Sequence, residues 1–158
     1  MPPPLLFPLE RFDLARIAVP IEEVRKVNPQ RFEMEQLDGI VGIDLEEGIV
    51  LGVKQVRRDE FWARGHIPGR PLMPAVVMLE AAGQTASYFV KLKLGLGERF
   101  MGFAGIDRAR FRGSVAPGDT LYILSRSIDV RVRKSLSHCQ GVVSGRLVFE
   151  CDIMGMIF

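Results

Sequence analysis

Cysteine, histidine and tryptophan are scarce in this chain: two, two and one among 158 residues. Cys139 and Cys151 have neither metal-ligand spacing nor a paired C-x-x-C arrangement. That argues against a disulfide scaffold, a zinc module and a thiol redox site, and no metal is expected. Buried free thiols of a reduced, cytoplasmic protein are expected instead. A large excess of one charge is also lacking. The net charge of +2 gives no electrostatic reason to expect a nucleic-acid partner. No apolar run reaches the roughly 18 uninterrupted residues of a membrane helix, because Glu80, Gln84 and Lys91 interrupt the longest one. The chain starts MPPPLLFP, without the basic beginning of a secretory signal. A membrane is therefore not expected as a partner, and no internal repeat is visible.

What is present suits one globular domain with a substantial core, since 47% of the residues are hydrophobic. Residues 1–20 are proline-rich and read as an arm, either flexible or packed on the surface. Residues 21–158 read as a single domain. Pro20 opens a short helix that Asn28 and Pro29 end. Residues 39–44 and 49–56 flank Glu46, Glu47 and Gly48 as a hairpin. A long apolar helix follows Pro74 to about Leu92, and Gly95 and Gly97 stop it. Strands are then expected over 100–106, 109–115, 121–133 and 147–157, with Ile128, Val130 and Val132 alternating against Asp129, Arg131 and Arg133. Two strands, one helix and several strands make an α+β order, an antiparallel sheet around one central helix. That helix is apolar almost all round. One curved sheet covers only part of it, so a second copy of the chain is expected on the rest.

The stretch from His66 to Glu80 carries the candidate chemistry. His66 sits in a loop stiffened by Pro68, Gly69, Pro71 and Pro74. Pro74 suits a helix start, where a missing N–H costs nothing. A neutral histidine accepts a proton near physiological pH. Glu80 is a carboxyl on an otherwise apolar helix, a position that favours the protonated form and suits a general acid. Gln84 and Tyr88, four and eight residues on, share its face as a polar stripe. The helix start at Ala75 and Val76 presents free N–H groups to developing negative charge. Gly69 offers a second close backbone approach. His138 has no carboxylate near it in sequence and reads as structural or exposed.

His66, Ile67, Pro68, Gly69, Pro71, Pro74, Ala75, Val76, Glu80 and Ala81 resemble the motif His-Phe-Pro-Gly-x-Pro-x-x-Pro-Gly-Val-(x)3-Glu-Ala of the FabZ-type (3R)-hydroxyacyl-(acyl-carrier-protein) dehydratases. A second block, Phe103, Ala104, Gly105, Ile106, Asp107, Ala109, Arg110 and Phe111, then Pro117, Gly118 and Asp119, resembles that family at matching separation. Glu80, rather than aspartate, resembles FabZ and not the isomerising FabA type. The resemblance implies a hot-dog fold, dimeric, with the sheet wrapped round the helix. It implies dehydration of a (3R)-3-hydroxyacyl thioester to the trans-2-enoyl thioester in fatty-acid synthesis. The substrate would ride on the phosphopantetheine of acyl carrier protein, with no other cofactor. His66 would remove the α-proton and Glu80 would act as acid or orient water. The implied partners are acyl carrier protein and the chain itself, as a dimer or a trimer of dimers, with His66 of one chain facing Glu80 of the other.

Several positions depart from that pattern. Ile67 replaces phenylalanine and Ala75 replaces glycine. Where the family shows Pro-His-Arg-Tyr-Pro-Phe-Leu-Leu-Val-Asp-Arg, this chain keeps Pro29, Arg31, an aromatic at Phe32, Leu37 and Asp38, and has Gln30 in place of histidine. The rival readings are a hot-dog acyl thioesterase, a coenzyme A-linked hydratase and a non-catalytic acyl- or carrier-binding homologue. Residues 107–134 hold seven basic side chains against three acidic. Among them Arg108, Arg110 and Arg112 are candidates for docking an acidic carrier, the alternative being a solvated face.

Overall fold

In the computed structural model all 158 residues are described. In chain order the elements are β1 (Val19–Pro20), α1 (Ile21–Val24), β2 (Gly39–Asp44), β3 (Ile49–Gln55), α2 (Ala75–Leu94), β4 (Met101–Phe111), β5 (Thr120–Val130), β6 (Ser135–Val143) and β7 (Arg146–Ile157). The strands make one sheet in the order β1-β2-β3-β5-β6-β7-β4. Every neighbouring pair is antiparallel. The sheet curls round α2, which packs on β3, β4, β5, β6 and β7.

Local chemistry sets the ends of α2. Pro74 is its extended N-cap residue, because a proline there forfeits no helical hydrogen bond. Gly95 ends it in the left-handed region at φ 63°, where glycine carries no Cβ penalty. Its N–H donates to Leu92 O, and that of Leu96 donates to Lys91 O. Ala81, Ala82 and Ala86 let the sheet approach closely, with Met78 and Phe89 filling the sides of the core.

Three strand expectations change. The two runs read at 100–106 and 109–115 are one continuous β4, kinked by register shifts between Phe103 and Gly105 and between Asp107 and Arg110. Arg108 takes a positive φ of 51° at the second kink, which is how a bulge absorbs an extra residue without ending the strand. The alternation read over 128–133 does not bury one face. Ile128 and Val132 are exposed, because β5 bulges between Ser127 and Asp129 and stops at Val130. Finally, β6 was not legible. Its sequence, SLSHCQGVV, is rich in serine and glycine, which carry little strand signal.

The sheet is buried on both faces. Phe7, on the N-terminal arm, joins Val41, Ile49, Leu51, Val53, Leu124 and Val142 in a second apolar cluster on the side away from α2. The arm is tied down there. Gln140 accepts from Leu6 N–H at 2.8 Å and donates to Pro4 O at 3.0 Å, while Arg126 donates to Leu6 O at 3.2 Å. Phe12 lies flat against Gly42, where a Cβ would fall 2.1 Å from the ring.

Cys139 and Cys151 are buried free thiols that face each other across β6 and β7. The contact with Cys139 and burial push the Cys151 thiol up, so Cys151 is not a ready nucleophile.

Candidate active site

His66 stands at the exposed tip of the loop between β3 and α2. The loop's base is anchored by three devices. Lys54 and Glu60 form a buried ion pair at 3.1 Å, Trp62 is buried in the core, and Met73 N–H donates to Val115 O. Gly69 turns the chain at φ 80°, with open space where a Cβ would be. His66 Nδ1 lies 2.8 Å from Leu72 O. A carbonyl can only accept, so Nδ1 carries the proton and the neutral ring keeps its free lone pair on Nε2. The neutral imidazole can therefore accept a proton at Nε2.

Glu80 lies on α2, half-buried. Its Oε1 accepts from Gln84 Nε2 at 2.8 Å. The same Nε2 donates to Met34 O at 2.6 Å, while Gln84 Oε1 accepts from Gln36 N–H at 2.9 Å. Gln36 N–H can only donate, so this network admits one orientation of the amide. The donating end is therefore turned to Glu80. One carboxylate oxygen is fixed, and Oε2 has no protein partner. Gln84 is itself buried, and its backbone carbonyl accepts from Asn28 Nδ2. The segment between α1 and β2 thus grips the helix at this turn through both the backbone and the side chain of Gln84.

Glu80 opens into a cavity of about 190 Å³ whose walls include Gly83, Gln84, Ser87, Phe103, Ser135 and Ser137. Gly83 is required there: a Cβ on it would fall 2.3 Å from Phe103 Cζ. The polar stripe on α2 is corrected by this geometry. Glu80 and Gln84 line the cavity and Ser87 continues it, while Tyr88 turns into the apolar core. Seven residues of a 3.6-residue helix bring Ser87 back over Glu80 more closely than eight bring Tyr88. Burial, with the negative Glu23 nearby, pushes the Tyr88 phenol up. Ser87, Ser135 and Ser137 were not singled out by sequence, and Gln30 only as a departure from the family pattern. A single serine or glutamine carries no pattern until the sheet register collects them.

His66 is not among the residues lining the Glu80 cavity of its own chain. The helix start is ready for an anion. Ala75 is helical rather than left-handed, so alanine in place of glycine costs nothing there. Val77 N–H and Met78 N–H both donate to Pro74 O, leaving the N–H groups of Ala75 and Val76 as the free ones. Val76 is 72% exposed, which leaves this end of α2 open.

The arginine triplet divides. Arg108 Nε and Nη2 donate to Asp152 at 2.7 and 3.1 Å, and Arg112 pairs with Glu150 at 3.0 Å. Only Arg110 is free of an acidic partner, bonding to Ala109 O. Arg64 and Arg70, on the His66 loop, are exposed and form no ion pair. His138, read from sequence as structural or exposed, is structural. Cross-strand register sets it opposite Asp152, with Nδ1 2.5 Å from Oδ1.

Residues 28–152 match the FabA-like domain family. The 3-hydroxyacyl-(acyl-carrier-protein) dehydratase FabZ of Agrobacterium fabrum is 38% identical over 137 residues, 87% of this chain and 88% of its own. The FabZ of Sinorhizobium fredii is 35% identical over the same shares of the two chains. Among solved structures, the dehydratase heterocomplex ApeI:P from Xenorhabdus doucetiae superposes with a TM-score of 0.74 at 12% identity, covering 85% of this chain and 90% of that one. The HP0420-homologue from Helicobacter felis superposes with a TM-score of 0.65 at 15% identity, covering 88% and 90%. The fold is the hot-dog fold, and the chain belongs to the FabA-like family, in its FabZ dehydratase branch.

Proposed function

We propose that this protein removes water from (3R)-3-hydroxyacyl thioesters borne on the phosphopantetheine of acyl carrier protein, giving trans-2-enoyl thioesters for fatty-acid synthesis in the cytoplasm. The observation that carries the reading is the complementary pair of fixed groups. His66 presents a free Nε2, and Glu80 presents a free Oε2 beside an acyl-sized cavity.

The step balances with these groups alone. His66 Nε2 takes the α-proton, and the released electron pair forms the C2–C3 double bond as the C3–O bond breaks. Glu80, as the carboxylic acid, gives its proton to the departing hydroxyl, which leaves as water. The N–H groups of Ala75 and Val76 stabilise charge on the thioester oxygen at the transition state, helped by the N-terminal end of a 20-residue helix. Gly69 supplies the positive-φ turn that the His66 loop needs.

The two groups meet across a dimer. β4 is a sheet edge, and it carries exposed Phe103, Ile106 and Phe111. An unpaired apolar edge is the place where a twofold copy completes a sheet. Such pairing sets the partner's His66 loop against the open side of the Glu80 cavity. Acyl carrier protein, an acidic partner, docks through Arg110 with Arg64 and Arg70 on the rim of the His66 loop.

Incubating the protein with a 3-hydroxybutyryl thioester tests the reading. Enoyl thioester with no free thiol is the expected product. Free thiol in its place would make the protein a thioesterase, and no product would make it a binding homologue.

A further inference from the structure

We infer that the cavity beside Glu80 selects an acyl chain bearing a second hydroxyl, beyond the one that is eliminated. This rests on the reading of that cavity as the acyl site, and it narrows the substrate class.

The cavity is greasy on one side and polar on the other. Phe100, Met101, Phe103 and Ile153 supply walls for methylenes. Against them stand Ser87, Ser135, Ser137 and Gln30. Ser135 and Ser137 are only 3% and 1% exposed, yet both line the cavity. Two residues apart on β6, they share the inner face of the sheet. The side-chain hydrogen bonds of this region run through Glu80, Gln84 and Gln36, and none engages either serine hydroxyl. Ser135 is paired in register with Gly155, where a Cβ would fall 2.9 Å from its Oγ. The glycine keeps that hydroxyl clear. Ser87 sits two turns beyond Glu80 on the same helix face. Gln30 borders the same cavity, and its Oε1 is enclosed with no hydrogen-bond partner.

A plain alkyl chain seated here would close the cavity over these groups and offer them no partner. That is the costly way to bury polar atoms. A hydroxyl both donates and accepts, so it satisfies a serine Oγ at the cavity wall. The arrangement therefore discriminates by what an unsubstituted chain leaves unpaired, which is the strong form of selectivity.

The test is calorimetric binding of unreactive pantetheine amides to the whole protein. Octanoyl amide is compared with its 5-, 6- and 7-hydroxy isomers, because the depth of the hydroxyls along the chain is the unknown. At least one isomer should bind about tenfold more tightly than octanoyl. In Ser135→Ala/Ser137→Ala that preference should vanish and octanoyl should gain affinity. Should the double variant not fold, Ser137→Ala alone serves. Equal or weaker binding of every hydroxylated isomer by the unmodified protein would overturn the inference, as would failure to bind any of the four. Absence of dehydration with the hydroxyl preference intact would remove the proposed reaction and leave this assignment standing. Dehydration without the preference would do the reverse.

Discussion

Gln84 Nε2 donates to Glu80 Oε1 from one helical turn further along α2, at 2.8 Å. The helix carries both ends of the contact, and the loop at Met34 and Gln36 fixes the amide from outside. Glu80 is thereby held in one rotamer. In the proposed mechanism Gln84 acts through Glu80, as a positioning residue. Gln84→Leu keeps the volume and removes all three hydrogen bonds. It should lower kcat about tenfold while KM changes less than about threefold, the pattern of a group acting only in the transition state. Two orphaned backbone groups should also cost about 2 kcal/mol of stability. Unchanged kcat in a folded variant would make the network purely structural.

The arm makes a separate prediction. Phe7 is 5% exposed and packs on the outer face of the sheet, edge to face with Phe12 at 6.0 Å. Phe7→Ala should destabilise the protein by about 3 kcal/mol, measured by urea unfolding. Turnover by the fraction still folded should not change, because α2 and the loop lie on the other face. A stability loss below about 0.5 kcal/mol would mean the arm is not part of the fold in solution.

Asp152 makes the acid limb of stability testable. Burial pushes its carboxyl up, but hydrogen bonds and charge from Arg108 and His138 outweigh that, and the carboxyl ends below its ordinary value. A lowered carboxylate contributes stability that is present above the unfolded pKa of about 3.9 and is lost as pH falls through the folded value. Asp152→Asn should therefore be less stable than the parent at neutral pH, with the gap closing below about pH 4. A gap that stays constant from pH 7 to 2 would contradict this.

Carrier docking separates the arginines by their partners. Arg64→Glu/Arg70→Glu and Arg110→Glu should raise KM for the carrier-borne substrate severalfold, with the effect fading as salt is added. A short pantetheine substrate should show no such loss. Arg108→Glu should instead lower the melting temperature, because it sets two carboxylates against each other at Asp152. Equal KM losses with carrier and pantetheine substrates would place these arginines in the tunnel rather than at the docking surface.

Much of this was legible in the sequence, for local reasons. Pro74 and Gly95 bracket the helix, and Glu46, Glu47 and Gly48 turn the hairpin, because caps and turns are written by adjacent residues. The His66 and Glu80 motif and the coarse order of a hairpin, one long helix and further strands were also readable. The failures are tertiary. Tyr88 was placed on the stripe because an eight-residue step approximates the helix period, and only packing separated it from Ser87. β6 is made a strand by neighbours on both sides, not by its serines and glycine. Asp152 reaches His138 through sheet register across 14 positions, and no local pattern announces that. Whether Arg108 and Arg112 are free also depends on β7, far along the chain.

The shared site is the centre of this account, and co-refolding of two disabled chains tests it most directly. His66→Ala and Glu80→Gln should each fold and each lose roughly 10²-fold to 10⁴-fold in turnover. In a mixed dimer, a site built from both chains leaves one site with both defects and the other with none. Refolding an equal mixture should then restore about a quarter of the parent activity, since half the dimers are mixed and each holds one intact site. If mixed dimers are seen by mass spectrometry and activity does not recover, His66 and Glu80 do not work across the interface, and the account is wrong.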